Sequence, residues 1–328
     1  MANKKILITR KFPEIGARLL REAGLSVTEW DEEHPMPHHL LELKAKEHNA
    51  IFSTLSDNLN AQFLKNCAHL DIISQFAVGY DNIDIPEATK LGIAIGYTPG
   101  AMSNATADTA FGLMIATSRK MFFMHKSIMK GDWGYFKPNA HLGLELKGKT
   151  LGIYGLGRIG MEMAKRCKGA YDMDLIYHNR TRNVEAEKQL NARYVSFETL
   201  LAQSDVLSVH TALTEATRGV FDKRAFSLMK PNALFINTAR GGIHNEPDLI
   251  EALQQGTIWG AGLDVTNPEP MRSTNPLLQI ENACVLPHIG SATIEARNEM
   301  ARMAAANIIA FYSNQKVPHI VNPEVLKN

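Results

Sequence analysis

Three polar residues in the second half of this 328-residue chain have types suited to work together on a carbonyl group: Arg240, Glu269 and His288. Arg240 follows the apolar run LFINTA in the segment ARGG, Glu269 lies in LDVTNPEP, and His288 follows VLP in PHIGSAT. An arginine fork can hold a carboxylate while polarising a neighbouring carbonyl. An imidazole, which titrates near neutrality, is suited to passing a proton to a carbonyl oxygen as hydride arrives at carbon. A carboxylate beside that imidazole would fix its tautomer and favour its charged form, as the third member of an orienting triad does. Together they describe carbonyl reduction. Singly, each has a plainer reading: a surface ion pair, a turn residue between prolines, a histidine satisfied at a strand end. Their joint appearance beyond strands, where ligands of a doubly wound sheet collect, favours the chemistry.

Carbonyl reduction needs a hydride donor, and LGIYGLGRIG, Leu151 to Gly160, is a dinucleotide fingerprint. A short apolar strand runs into Gly155, Gly157 and Gly160, and a helical pattern opens behind them, the context the motif requires. Gly155 would permit the tight turn, Gly157 would let backbone approach a pyrophosphate, and Gly160 would allow close helix-strand packing. The helix N-terminus would face the negative charge. Glycine-rich turns also occur where nothing binds, so the motif alone leaves both readings open. Beyond the next strand an NAD enzyme usually carries an acid for the ribose 2′-hydroxyl. Here the chain reads HNRTR, with Asn179 in place of a carboxylate and Arg180, Thr181 and Arg182 suited to a 2′-phosphate. NADPH is therefore the expected cofactor, with NADH as the other donor; a solvated basic loop is the alternative.

These residues sit on two successive strand-helix alternations. The first runs KKILITR, SVTEW, AIFSTL, LDIISQFA and IAIGY, with helical patterns between. A long helical stretch, ATADTAFGLMIATSRKMFFMHKSIM, follows Pro99 as a bridge, and its Met121, Phe122, Phe123 and Met124 are expected in the core. The second alternation offers six strands, LGIY, DLIYH, VLSVH, ALFINTA, GAGLDV and CVLPH, which suit a full dinucleotide fold. Asp222 is placed to N-cap KRAFSLM, and Pro247 and Gly256 to open and close another helix. In the last helix Met300, Met303, Ala304, Ile308 and Phe311 fall at helical spacing, so one face must be buried.

Composition narrows the partners. A net charge of +1 gives no field favouring nucleic acid or an anionic membrane. No run of about 18 apolar residues spans a membrane, and the first apolar run is too short for a signal peptide, so a cytoplasmic protein is expected. Three scattered cysteines suggest neither a disulfide framework nor a zinc cluster, only thiols in a reducing compartment. HPMPHH at His34 to His39 reads as a solvated loop, because its prolines break helical ligand spacing; no metal is expected.

The segments AVGYDNID, TPGAMSNATADTAFGLMIATSR, GKTLGIYGLGRIG, MKPNALFINTARGG, AGLDVTNPEP and LPHIGSAT, in this order over nearly the whole length, resemble the D-isomer-specific 2-hydroxyacid dehydrogenases. Within that family the chain is most similar to glyoxylate/hydroxypyruvate reductases. The resemblance implies an α/β protein of two doubly wound parallel-sheet domains: a discontinuous flavodoxin-like substrate domain, 1–98 plus 291–328, and an NAD(P)-binding Rossmann domain, 99–290. It implies Arg240 as the substrate-binding arginine, His288 as acid/base and Glu269 as its partner. It further implies a substrate carboxylate held by backbone amides at Val78 and Gly79, Leu55 and Ser291 near the substrate, and Asp264 near the nicotinamide amide. Cofactor contacts would come from Thr106, Gly155, Gly157, Arg158, Ile159, Gly160, Asn179, Arg180, Thr181, Arg182, Thr211, Thr217 and Thr238, with Arg240 and His288.

The implied assembly is a homodimer whose long helix and following loop embrace the partner, with Trp133 or Phe136 reaching the neighbouring active site. Related reductases tend to have tryptophan where Phe136 stands. Ala212 in HTALT, where the family often has proline, would loosen a loop near the adenosine; Ser103 and Asn104 would alter a helix N-cap. The implied reaction is reduction of glyoxylate to glycolate or hydroxypyruvate to D-glycerate. A 2-ketogluconate reductase, an NAD-dependent phosphoglycerate dehydrogenase and a cofactor-sensing corepressor-like protein are the alternatives; a structural scaffold gives no reason for polar residues to gather at the ligand edge of the sheet.

Overall fold

The structure is a computed structural model and describes residues 3–326. The chain divides into two compact units, Met1–Met102 with Ala292–Asn328, and Ser103–Ser291. The first alternates β1 (Lys5–Ile8), α1 (Glu14–Glu22), β2 (Ser26–Glu29), α2 (His38–Ala45), β3 (Ala50–Ser53), α3 (Ala61–Asn66), β4 (Ile72–Gln75), α4 (Ile85–Lys90) and β5 (Ala94–Gly96). All pairings are parallel in the order β2-β1-β3-β4-β5, the flavodoxin-like winding. Local signals set the helix ends: Asn60 accepts from the Phe63 amide and Asp84 from that of Glu87, while Gly24 turns the chain out of α1 at φ +80°. Strands covered on both faces read as continuous apolar runs, and β3, β4 and β5 are buried throughout.

The second unit opens with α5 (Ser103–Ser118) and α6 (Met121–Met129). The expected single long helix is broken at Lys120, which adopts a left-handed conformation at φ +55°. Its ammonium pairs with Glu281 at 3.3 Å and lies over the Trp259 ring. The expectation that Met121 to Met124 are core is corrected with it: no residue of α6 is buried, Met121 is 46% exposed, and only Phe122 leans on the core. Ser103 and Asn104 are the first helical residues; Asn104 accepts from Arg166.

There follow β6 (Thr150–Tyr154), α7 (Arg158–Tyr171), β7 (Asp174–His178), α8 (Val184–Leu190), β8 (Arg193–Tyr194), α9 (Phe197–Gln203), β9 (Val206–Val209), α10 (Lys223–Leu228), β10 (Leu234–Asn237), α11 (Glu246–Gln254), β11 (Gly260–Leu263) and β12 (Ala283–Val285). The six expected strands are present, and β8 makes a seventh, two residues long and too short to leave a periodic signal. The all-parallel order β12-β11-β10-β9-β6-β7-β8 winds outward in both directions from β6, as a dinucleotide fold does. Asp222 caps α10 by accepting from the Ala225 amide; α11 begins after Asn245 with Pro247 in its first turn and runs out at Gly256, φ +69°.

The last α-helix is α12 (Ile294–Tyr312), capped by Thr293. Met300, Ala304 and Ile308 are buried with Ile6, Phe52 and Ile72 in the core of the first unit, and Ser74 Oγ donates to the Ala304 carbonyl at 2.8 Å. The cysteines are free and buried; burial pushes the Cys167 thiol up to about 12, so it packs as an apolar group. Among the described residues no helix is long and apolar enough to cross a membrane. His38 and His39 open α2 instead of lying in a loop, and no group of His, Cys, Asp or Glu among the described residues is placed to hold a metal. Because Met300 is 2% exposed, Met300→Ala should lower the unfolding free energy by about 2–4 kcal/mol in a urea titration. A loss under about 0.5 kcal/mol would contradict burial of this face.

Candidate active site

Arg240, Glu269 and His288 emerge from one edge of the second sheet. Register aligns Asn237 of β10 with Leu263 of β11, and Leu263 with Val285 of β12, so the three residues follow the carboxyl ends of three adjacent strands. His288 Nδ1 is hydrogen-bonded to Glu269 Oε1. With that nitrogen committed to a carboxylate, it carries the proton, and Nε2 is left to face a reacting group.

Asp264 positions the imidazole. The His288 amide donates to the Asp264 carbonyl at 2.9 Å, and the Ile289 and Gly290 amides donate to its two carboxylate oxygens at 2.7 Å each. These bonds hold His288 in a left-handed conformation, φ +55°. Burial pushes the Asp264 carboxyl above its ordinary range, against the two amides that favour its charge. Thr106, in the first turn of α5, closes the arrangement by donating to the Gly290 carbonyl at 3.1 Å, and Ser291 is buried beside it in sequence.

Two further buried side chains, unforeseen from sequence, fix the other members. Glu246 accepts from the Asn267 amide at 3.0 Å and from Asn275 Nδ2 at 2.6 Å, anchoring the loop that bears Glu269. Asn237 accepts from the Ala239 amide at 2.9 Å and donates to the Arg240 carbonyl at 2.9 Å. Gly241 follows because a Cβ there would lie 1.9 Å from the Thr266 carbonyl oxygen.

Where β6 meets α7 the chain fits a dinucleotide. Gly155, at φ +101°, brings β6 so close to β9 that a Cβ would fall 2.7 Å from the Thr211 nitrogen. A Cβ on Gly160 would lie 2.6 Å from the Gly155 carbonyl oxygen, whereas one on Gly157, at the N-terminus of α7, would meet nothing within 4 Å. That open approach to a helix N-terminus suits a phosphate. Arg158 and Ile159 form the first turn, and the Thr238 hydroxyl is buried without a hydrogen-bond partner. Asn179 Oδ1 accepts from the Leu156 amide at 2.6 Å, so the residue standing for the usual acid braces the glycine loop. Arg180 and Thr181 are exposed, while Arg182 is engaged by Glu187. Thr217 Oγ1 donates to the Ala212 carbonyl at 2.8 Å and accepts from the Thr214 amide, closing the loop after Thr211.

In the first unit, the loops bearing Leu55 and Val78–Gly79 are tied together at the ends of β3 and β4. Gln75 Nε2 donates to Asn82 Oδ1 at 2.7 Å, and Asn82 Nδ2 donates to the carbonyls of Thr54 and Asp57. Trp133 and Phe136 are 72% and 84% exposed in the loop after α6.

Residues 111–290 match the family model described as D-isomer specific 2-hydroxyacid dehydrogenase, NAD binding domain. A glyoxylate reductase of Thermococcus litoralis is 44% identical, the match covering 98% of each chain. The chain belongs to the D-isomer-specific 2-hydroxyacid dehydrogenases. Among solved structures, a glyoxylate reductase from Paecilomyes thermophila is 33% identical with a TM-score of 0.87, covering 99% of this chain and 100% of the other. An NADPH-dependent glyoxylate/hydroxypyruvate reductase from Sinorhizobium meliloti, in complex with NADP and malonate, is 29% identical with a TM-score of 0.87, covering 100% and 99%.

In this family member His244 adds a titratable support to the Arg240 turn. The two bonds of Asn237 to backbone orient its carboxamide so that Nδ2 also points at His244 Nδ1, 3.0 Å away. His244 Nδ1 must therefore accept, and protonating it would set two donors against each other. Burial likewise holds this 1%-exposed imidazole neutral, its pKa pushed down to about 4. A group depressed on folding contributes stability in full above its unfolded pKa of 6.5, and loses it as pH falls towards 4. The thermal midpoint should drop across that window, and His244→Gln should flatten the slope. Equal slopes in the two proteins would contradict this role.

Proposed function

We propose that this chain reduces small 2-oxo acids, glyoxylate to glycolate and hydroxypyruvate to D-glycerate, with NADPH preferred over NADH. The observation that supports it most is the His288–Glu269 contact at the edge that also bears Arg240. A bound nicotinamide supplies the hydride equivalent. The guanidinium of Arg240 holds the substrate carboxylate and polarises the carbonyl, with Ser291 lining the substrate. His288 gives the Nε2 proton to the carbonyl oxygen as carbon is reduced, and Glu269 stabilises the charge on the ring before that proton leaves. Asp264 would lie near the nicotinamide amide, and Thr106, Arg158, Ile159, Thr211, Thr217 and Thr238 would line the remainder of the cofactor.

The missing acid at Asn179 and the exposed cation Arg180 support NADPH, as does the name of the Sinorhizobium relative. We also assign the protein as a homodimer. Ile128, Met129, Trp133, Tyr135, Phe136 and Leu142 are all more than half exposed, an apolar surface of the kind that another subunit covers.

His288→Gln should cut turnover of glyoxylate by a factor on the order of 10² to 10⁴, measured as NADPH oxidation. Turnover equal to that of the unaltered enzyme would remove His288 as the acid.

A further inference from the structure

The loop expected to grip a 2′-phosphate has an acidic partner outside it that its sequence did not advertise. Glu187, on α8, receives Arg182 as a two-pronged fork, Nε to Oε1 at 3.0 Å and Nη2 to Oε2 at 2.7 Å. Its Oε1 also accepts from the Tyr177 hydroxyl at 2.6 Å, and that hydroxyl accepts from the Asn183 amide at 2.9 Å. Tyr177 is fully buried in β7, and Asn183 is the N-cap of α8, so the carboxylate is anchored to the sheet and to the helix start. The Arg182 guanidinium lies over the Tyr194 ring, 5.7 Å from its centre. Arg182 thus meets both a ring and a carboxylate, its charge matched by an anion that the Tyr177 hydroxyl also holds. Arg180, two residues earlier, is exposed and makes no ion pair among the described residues.

We propose that Glu187 is a specificity-determining residue for the cofactor: it compensates Arg182, so that Arg180 alone supplies uncompensated charge to a 2′-phosphate, and Glu187 caps the discrimination between NADPH and NADH. This rests on the cofactor reading given under Proposed function. A fixed negative charge beside a phosphate site repels a group carrying close to two negative charges, whereas NADH, with a hydroxyl there, is nearly indifferent to it. Arg182 and Glu187 together act as a neutral pair, and either residue alone leaves a net charge.

The test measures dissociation constants of NADPH and NADH by calorimetry on the full-length protein, for the unaltered chain, Glu187→Gln, Arg182→Gln and the double variant. The ratio of the NADPH to the NADH constant is the readout. Glutamine retains an acceptor for the Tyr177 hydroxyl, and the NADH constant reports whether each variant is folded. Glu187→Gln should lower the ratio about three- to tenfold, Arg182→Gln should raise it by a similar factor, and the double variant should return within about twofold of the unaltered chain. The effect of each single variant should shrink as salt is raised. An unchanged or raised ratio in Glu187→Gln, or a double variant that fails to return, would overturn the role of Glu187. A preference of the unaltered chain for NADH would overturn the NADPH reading alone, because the change in ratio between variants is read independently of the starting value.

Discussion

The whole site depends on one buried carboxylate. Asp264, 1% exposed at the end of β11, receives three successive backbone N–H groups from residues 288, 289 and 290, one on its carbonyl and two on its carboxylate. A left-handed backbone at a non-glycine residue costs roughly 1–2 kcal/mol, and His288 adopts it in the segment whose three amides Asp264 receives. The side chain is thereby aimed at Glu269. Glu246 and Asn237 repeat the device for the Glu269 loop and the Arg240 turn. Each is a buried polar group that bonds the backbone of the segment it fixes and a second side chain, Asn275 for Glu246 and His244 for Asn237, and a buried polar group tolerates few alternatives to its own partners. Arg240, Glu269 and His288 are partly exposed; what supports them is not.

Topology explains why such supports can converge. In a parallel sheet every strand delivers its carboxyl end to the same edge, so β10, β11 and β12 release Arg240, Glu269 and His288 side by side. On the other side of β9 the same edge holds the glycine loop of β6 and the Asn179 segment after β7, joined by the bond from the Leu156 amide to Asn179. The glycine loop and the His288–Glu269 pair therefore follow from one winding order, with no long excursion of the chain.

Much of this was legible in the sequence because its signals are local. Apolar runs of strand length alternating with capped helices located five strands of the first sheet and six of the second, and Asp222, Pro247 and Gly256 marked helix ends that the backbone adopts. The gathering of Arg240, Glu269 and His288 at one sheet edge was legible from residue type just beyond each strand. Long-range partners were not. Glu246 reads as an acid in the first turn of α11, and only folding brings it to Asn267 and Asn275. Glu187 reads as one charge among several on a surface helix until the Tyr177 hydroxyl is seen beneath it. The apolar cluster Met121–Met124 misled for the opposite reason: apolar residues at helical spacing favour burial but also occur on the surface, as α6 shows.

Steady-state kinetics of glyoxylate, hydroxypyruvate, pyruvate and 2-ketogluconate, each with NADH and with NADPH, test the proposed activity most directly. The highest kcat/KM is expected for glyoxylate or hydroxypyruvate with NADPH. No turnover of any of the four, or a best substrate of 2-ketogluconate with NADH, would contradict it.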